Sequence, residues 1–170
     1  MKDILKWEGK IYEMEWLDKF DPSILRKLKQ VYGFLFTEEG KLCIVRPTKR
    51  RGWRLPGGGP EPEDGDWKRT VMRESKEEAD INLDEDSLKI VGLIKVTPGS
   101  DGKIDYALRV VGRIISIDHQ TEDIAEGLIN ERRFILPKDF SKFMKWGKFG
   151  EYQLEKALSL LENESLRDPK

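Results

Sequence analysis

The chain has 170 residues, 38% of them apolar, and its 31 Lys and Arg residues nearly balance 32 Asp and Glu residues. This length predicts one domain, the aromatic content argues against disorder, and no apolar run approaches the ~20 residues of a membrane span. One cysteine, Cys43, and one histidine, His119, exclude an internal disulfide, a cysteine zinc site and a multi-histidine metal site. We therefore expect chemistry based on carboxylates, basic side chains, backbone amides and a metal ion.

The amino-terminal third predicts strands around a short helix. Alternating apolar residues predict a strand over residues 10–17. Asp21 followed by Pro22 predicts the start of a helix that runs to about Gln30. Two strands are predicted over 31–37 and 41–46, around a polar turn. We expect residues 1–30 to form an amino-terminal extension that packs on a main domain over 31–162.

The remaining sequence predicts a mixed α/β domain. A glycine turn at Leu55–Pro60 cannot continue a helix, and the clearest helical pattern follows it over 66–79. The other predicted elements are strands over 88–96, 106–117 and 134–136, a final helix over 151–162 and a frayed tail over 163–170. We find no internal repeat.

Charges of opposite sign lie on the two sides of the glycine turn. Residues 41–54 contain basic side chains and no acid, whereas residues 61–66 contain acids and no base. The basic run could bind phosphates or steer an anion, or it could be a mobile solubilising loop. Trp53 or Trp146 could stack on a base, although Trp53 could equally be a core residue.

Three carboxylates project from one side of the predicted helix. At about 100° per residue, Glu74, Glu77 and Glu78 fall within an arc about 100° wide, along the edge of the buried face. Repulsion between Glu74 and Glu78 costs a few tenths of a kcal/mol, and a divalent cation converts it into binding. The alternative is a solvated helix face in which Arg73 and Lys76 neutralise the acids.

The segment from Leu55 to Ile81 reads LPGGGPEPEDGDWKRTVMRESKEEADI. It resembles the Nudix hydrolase signature, in which glycine, five residues, glutamate and seven residues precede Arg-Glu-aliphatic-x-Glu-Glu-x-Gly-aliphatic. Counted from Gly59, the matching positions are Arg73, Glu74, Glu77, Glu78 and Ile81. The departures are Gly65 for the isolated glutamate, Ser75 for an aliphatic residue and Asp80 for the late glycine.

The resemblance implies a Nudix-like α/β/α sandwich with a mixed central sheet. It also implies Mg²⁺-dependent hydrolysis of a diphosphate bond in a nucleoside diphosphate-linked substrate by metal-activated water, with Mn²⁺ as a substitute. Glu74, Glu77 and Glu78 would bind the metal, Glu77 would also be catalytic, and Arg73 would orient them. A further catalytic acid would come from a loop before the last strand, where Glu126 is favoured over Glu131, unless both are ordinary loop acids.

The predicted substrate contacts come from the basic segment and the glycine turn. Glycines let backbone amides approach a phosphate closely, and the following helix start offers further N–H groups. The predicted substrate-binding residues are Arg46, Arg54, Gly57, Gly58 and Gly59.

Each of the three departures from the signature predicts a different local structure. In the family the isolated glutamate pairs with the arginine of the signature, which is Arg73 here. If one residue is inserted in the alignment, Asp64 takes the place of that glutamate. Ser75 needs a hydrogen bond to the preceding turn or a local gap. Asp80 tolerates a left-handed helix ending better than most residues do.

Two other functions stay open on the sequence alone. Gly65 and Asp80 would suit a Nudix-fold module that binds a nucleotide without turning it over, and the basic run would suit an RNA 5′-end pyrophosphohydrolase. The expected partners are thus a nucleotide-type diphosphate or an RNA end, with no membrane, and a homodimer in which the amino-terminal strand extends a neighbour's sheet. We expect a cytoplasmic location because the amino terminus lacks the apolar segment of a signal peptide.

Overall fold

The structure is a computed structural model that describes residues 1–7, 9–47, 52–99, 102–122, 127 and 129–165. The strands are β1 (Lys2–Trp7), β2 (Lys10–Leu17), β3 (Gln30–Phe36), β4 (Leu42–Arg46), β5 (Gly57–Gly58), β6 (Ile81–Leu83), β7 (Lys89–Pro98), β8 (Asp105–Ile117) and β9 (Glu131–Ile135). The helices are α1 (Trp67–Ala79), α2 (Phe140–Phe143) and α3 (Gly147–Ser165). Short 3₁₀ turns occur at Pro22–Lys27, Pro62–Asp64, Glu85–Ser87 and Pro137–Asp139.

The strands form one mixed sheet in the order β1-β2-β7-β8-β3-β4-β9. β3 and β8 run parallel in the centre, from Gln30 opposite Ala107 to Phe36 opposite Arg113, and the other neighbouring strands are antiparallel. The two-residue strand β5 pairs with the start of β3, where Tyr32 lies opposite Gly57. This pairing fixes the glycine turn against the centre of the sheet.

Apolar side chains fill both faces of the sheet because successive residues of a strand point to opposite sides. On one face, Val31 and Leu35 of β3 belong to the core that also contains Val71 of α1. On the other face, Phe34 belongs to the core that contains Phe149 of α3. The result is the predicted α/β/α arrangement. Among the described residues, every helix falls short of the length and apolarity needed to cross a bilayer.

Several predicted elements differ from those in the structure. The predicted helix over 21–30 is a 3₁₀ turn that ends at Lys27, because Leu28 is extended and the Lys29 N–H donates to the Tyr106 carbonyl at 2.8 Å. The last short strand is β9, which begins at Glu131 rather than Phe134. The final helix begins at Gly147, before the predicted Glu151, and continues to Ser165.

The first strand was not predicted, and it lengthens the sheet. β1 pairs with β2, and β2 pairs with β7 from Tyr12 opposite Pro98 to Leu17 opposite Leu93. Trp16, 4% exposed, lies against Gly92, where a Cβ would come within 2.1 Å of the indole. Strands β1 and β2 are therefore part of the main sheet. The division of the chain at residue 30 stays a prediction.

Candidate active site

Helix α1 carries the predicted acids, and both of its ends are capped. Asp66 accepts a hydrogen bond from the Arg69 N–H at 2.9 Å, as a favourable N-cap residue does. At the other end Asp80 is left-handed, with φ 47° and ψ 45°, and its carboxylate accepts from the Thr121 N–H at 2.7 Å. Asp80 thus adopts the ending for which the Nudix signature uses glycine.

Arg73 donates hydrogen bonds to three acids and to the glycine turn. Its Nε and Nη2 donate to the two carboxylate oxygens of Asp64 at 2.8 and 2.9 Å. Its Nη1 donates to Glu74 and to Glu77 at 3.1 Å each, and Nη2 also reaches the Gly59 carbonyl at 2.9 Å. The hydrogen bonds that Arg73 donates to Asp64 raise the pKa of Arg73, so it stays charged. Two predicted metal ligands therefore converge on one guanidinium nitrogen.

The acid that pairs with Arg73 is Asp64, one residue before the signature position at Gly65. The 3₁₀ turn Pro62–Asp64 ends at Gly65, whose φ of 75° favours glycine over glutamate. The backbone therefore places Asp64 toward α1, where its side chain is only 6% exposed. The hydrogen bonds from Arg73 lower the pKa of Asp64 to about 2.

Replacing Asp64 with Asn is expected to reduce the free energy of unfolding by about 2 kcal/mol at pH 7. Because Arg73 lowers the Asp64 pKa from 3.8 to about 2, this stabilisation is present above about pH 4 and is lost as the pH falls through about 2. Urea unfolding of both proteins across this range measures the difference. Asp66→Asn is the matched control, since Asn and Asp cap helices equally well. A difference that stays constant down to pH 2 would contradict the assignment.

The Glu74 carboxylate lies directly against Gly58. A Cβ built on Gly58 would come within 2.4 Å of Glu74 Oε1, so the missing side chain leaves the room that the carboxylate occupies. The Glu74 side chain is 14% exposed. Burial raises the pKa of Glu74, and the charge of Arg73 opposes that shift. Glycine is thus required here for close approach of the acid.

Glu78 makes different contacts from the other two glutamates. Its side chain is 5% exposed, one oxygen accepts from the Gly57 N–H at 2.9 Å, and the other binds the guanidinium of Arg54. Within the described residues, no three His, Cys, Asp or Glu side chains are grouped closely enough to hold a metal ion. The structure therefore brings Glu74 and Glu77 together and places Glu78 on Arg54 and the glycine turn.

The remaining predicted residues lie apart from this group or outside the described residues. Arg46 binds Glu131 across the β4–β9 pair and lies 5.1 Å from the ring centre of Trp53. Trp53 is partly buried against the core and packs edge-on against Phe143 at 5.8 Å. The prediction for Glu126 and those for the basic residues 49–51 fall outside the described part of the chain.

The NUDIX domain model matches residues 26–156. The chain belongs to the NUDIX domain family. Among solved structures, a mutant of the Bacillus subtilis pyrophosphohydrolase BsRppH gives a TM-score of 0.67 at 21% identity, over 95% of this chain and 97% of that chain. The C. elegans Ap4A hydrolase gives 0.59 at 16% identity, over 80% of this chain and 98% of that chain.

An ADP-ribose pyrophosphatase from Streptococcus suis gives a TM-score of 0.54 at 19% identity, over 83% of this chain and 92% of that chain. At these identities the likeness establishes the fold alone. No curated protein matches the chain significantly. The family match confirms the predicted family, and these structures confirm the predicted α/β fold class.

The residues of this Nudix site fit a divalent cation. Carboxylate oxygens are the ligands that Mg²⁺ prefers, and Arg73 Nη1 shows that Glu74 and Glu77 can share one positive group. Gly58 provides the space in which the Glu74 carboxylate lies. Glu74 and Glu77 are thus suited to hold the metal that the Nudix family uses.

The departure at Ser75 leaves a buried hydroxyl. Ser75 is fully buried on α1, and its Oγ has no hydrogen-bond partner among the residues that the structure describes. Neither the predicted hydrogen bond to the preceding turn nor another one forms there. An aliphatic residue, as in the Nudix signature, would avoid this cost.

Replacing Ser75 with Ala is therefore expected to stabilise the protein by about 1 kcal/mol, through removal of an unsatisfied hydroxyl and a better helix propensity. The midpoint of urea unfolding measures the change. Ser159→Ala is the control, because Ser159 on α3 is exposed and its hydroxyl donates to the Glu155 carbonyl. A destabilised Ser75→Ala variant would refute this explanation.

Sequence reasoning missed Arg109, which lies in the middle of β8. Its strand otherwise reads as an apolar core strand, so the arginine was not considered as a site residue. A basic residue within a continuous apolar run was the available signal, because charged side chains are rarely fully buried without a partner.

Proposed function

We propose that this Nudix protein is a Mg²⁺-dependent pyrophosphohydrolase that cleaves the diphosphate bond of a nucleoside diphosphate-linked substrate. The observation that carries the proposal is the convergence of Glu74 and Glu77 on Arg73 Nη1, at 3.1 Å each, beside the glycine turn. The names of the similar structures, a pyrophosphohydrolase, an Ap4A hydrolase and an ADP-ribose pyrophosphatase, support this reaction class.

The metal and the protein have separate parts in the proposed reaction. When bound, Mg²⁺ or Mn²⁺ neutralises phosphate charge and lowers the pKa of water, so that hydrolysis needs no histidine. Glu74 and Glu77 would hold it, and Glu78 stays the proposed third ligand, which requires one of its oxygens to leave Arg54. Arg73 orients the first two acids, and Asp64 in turn fixes Arg73.

The glycine turn positions the substrate beside these acids. Gly58 and Gly59 keep the backbone free of side chains next to Glu74, so a phosphate can approach closely. The Gly57 N–H is engaged by Glu78, so Gly57 serves first to position that acid. Of the two arginines predicted to bind substrate, Arg54 is the one that contacts an acid of α1, namely Glu78. Arg46 is proposed only as a more distant phosphate contact.

A substrate panel with product identification tests the proposal. The panel contains ADP-ribose, Ap4A, a UDP-linked sugar and a 5′-triphosphorylated RNA, each with Mg²⁺, with Mn²⁺ and with EDTA. We expect chromatography to show release of phosphate or a nucleotide with metal and none with EDTA. Failure to cleave any member with either metal would refute the proposal.

The same panel separates the two alternatives. Thermal stabilisation by a nucleotide without hydrolysis would favour the binding module. Cleavage of the RNA alone, with binding that weakens steeply as salt rises, would favour the RNA-end enzyme. The homodimer and the cytoplasmic location stay predictions.

A further inference from the structure

Arg109 is a buried cation that has no acidic partner in the described part of the chain. The residue is 9% exposed, and its Nε donates to Gln153 Oε1 at 2.9 Å. Its Nη1 makes a longer contact of 3.3 Å to the Leu108 carbonyl. Within the described residues no carboxylate pairs with it, and burial lowers its pKa to about 10, so it remains charged at neutral pH. Burying an unpaired charge costs several kcal/mol, which calls for a functional reason.

The Arg109 guanidinium borders a cavity of about 220 Å³ with aromatic walls. The guanidinium carbon lies 5.0 Å from the ring centre of Tyr32 and 5.8 Å from that of Trp146. Leu5 and Met14, from strands β1 and β2, form part of the apolar wall. These two residues precede the segment 26–156 that the family model matches, so this part of the wall lies outside the matched domain.

The cavity adjoins the glycine turn of the proposed active site. Tyr32, in its wall, pairs with Gly57 in the sheet. Arg54, also in its wall, binds Glu78 through one guanidinium nitrogen, while its Nε is buried without a hydrogen-bond partner among the residues that the structure describes. A substrate whose phosphates lie along the glycine turn can therefore place its next group in the cavity.

Gln153 fixes the direction in which Arg109 can bind a ligand. Gln153 is 1% exposed, and its amide nitrogen donates to the Phe149 carbonyl at 3.1 Å, so its oxygen is held toward Arg109 Nε. Tyr32 and Trp146 contact the guanidinium as cation–π partners. Among the described residues Nη2 has no hydrogen-bond partner, so its donors remain for a ligand beside the weakly engaged Nη1.

We infer that Arg109 is a specificity-determining residue that binds a nucleobase edge carrying two adjacent acceptors, as guanine does with O6 and N7. A guanidinium matches two coplanar acceptors, whereas adenine presents a donor at one of these positions. The aromatic and apolar walls suit a flat ring better than a hydrated phosphate. This inference rests on the proposed function for the placement of the substrate's phosphates.

Calorimetry with GDP, ADP and inorganic pyrophosphate in EDTA tests the inference without turnover. We expect the wild-type protein to bind GDP about tenfold or more tightly than ADP. Arg109→Met should abolish this preference, and Arg113→Met, the same substitution elsewhere on β8, should retain it. Arg109→Lys keeps the positive charge but lacks the paired donors of the planar guanidinium, so it should also lose the preference for GDP. This variant replaces Arg109→Met in the test if Arg109→Met fails to fold.

Three results would overturn the inference. Equal wild-type affinity for GDP and ADP would remove the base preference, and a preference retained in Arg109→Lys would assign it to another residue. Pyrophosphate binding that depends on Arg109 without any base preference would make the cavity a phosphate site. The calorimetry is done without metal and needs no turnover. A failure of the proposed function on the substrate panel and a failure of the base preference in calorimetry are therefore separate results.

Discussion

Replacing Glu77 with Gln is expected to lower Mg²⁺-dependent diphosphate turnover by about 100-fold or more, with the fold retained. Glu77 and Glu74 accept hydrogen bonds from the same nitrogen of Arg73, so the amide removes one of two negative charges that converge there. The Glu77 side chain is 26% exposed. Because this ion pair is still partly accessible to solvent, we expect its loss to cost about 1 kcal/mol or less in unfolding free energy.

Steady-state kinetics with Mg²⁺ and urea unfolding measure the two effects of Glu77→Gln. Glu155→Gln is the matched control, because it makes the same change on an exposed position of α3. A Glu77→Gln rate near that of the wild type would show that this residue does not hold the metal. A variant that loses stability in proportion to activity would instead show a structural role.

Glu78→Gln is expected to behave differently, although the sequence alone predicts the same loss of turnover with folding intact. Both Glu78 oxygens accept hydrogen bonds, one from the Gly57 N–H and one from Arg54. A glutamine amide nitrogen would face one of these donors, which leaves a buried donor unsatisfied and costs about 1–3 kcal/mol. The tertiary contacts therefore make Glu78 structural as well as a proposed metal ligand.

Replacing Gly58 with Ala is expected to reduce turnover by about 100-fold, through displacement of the Glu74 carboxylate by roughly 1 Å or more. The added Cβ would lie 2.4 Å from Glu74 Oε1 and 2.6 Å from its carboxyl carbon. Since these atoms end a flexible side chain, Glu74 can move aside, and the unfolding free energy should change little. A loss of activity in a folded protein is the expected signature.

Two neighbouring glycines provide controls for Gly58→Ala. At Gly59 the nearest heavy atom would lie 3.6 Å from the new Cβ, an ordinary contact, so Gly59→Ala should keep the stability of the wild type and leave the Glu74 carboxylate in place. At Gly57 the Cβ would lie 2.1 Å from the Val31 carbonyl oxygen, with φ at 143°, so Gly57→Ala should unfold or severely destabilise the protein. Full activity in Gly58→Ala would contradict the placement of Glu74.

The elements nearest the site were the most predictable ones. The cap at Asp66, the apolar spacing of α1 and the glycine turn are local features, so they predict the helix and the arc of its three glutamates. β1 was missed because its residues are largely exposed on an edge strand and lack a clear apolar alternation. The 3₁₀ turn at Pro22–Lys27 is shorter than predicted because sheet pairing extends the chain at Leu28.

Local sequence patterns are enough to predict the family, the helix that carries Glu74 and Glu77, and the glycines beside them, because these depend on spacing within about 25 residues. The partners of the charged groups depend on the folded chain: Arg73 pairs with Asp64 rather than residue 65, and Glu78 binds Arg54 and the Gly57 amide. The fold also places Arg109 beside an aromatic cavity, with Gln153 from 44 positions away as its hydrogen-bond partner. Such contacts depend on strand pairing and loop geometry, which local spacing does not specify.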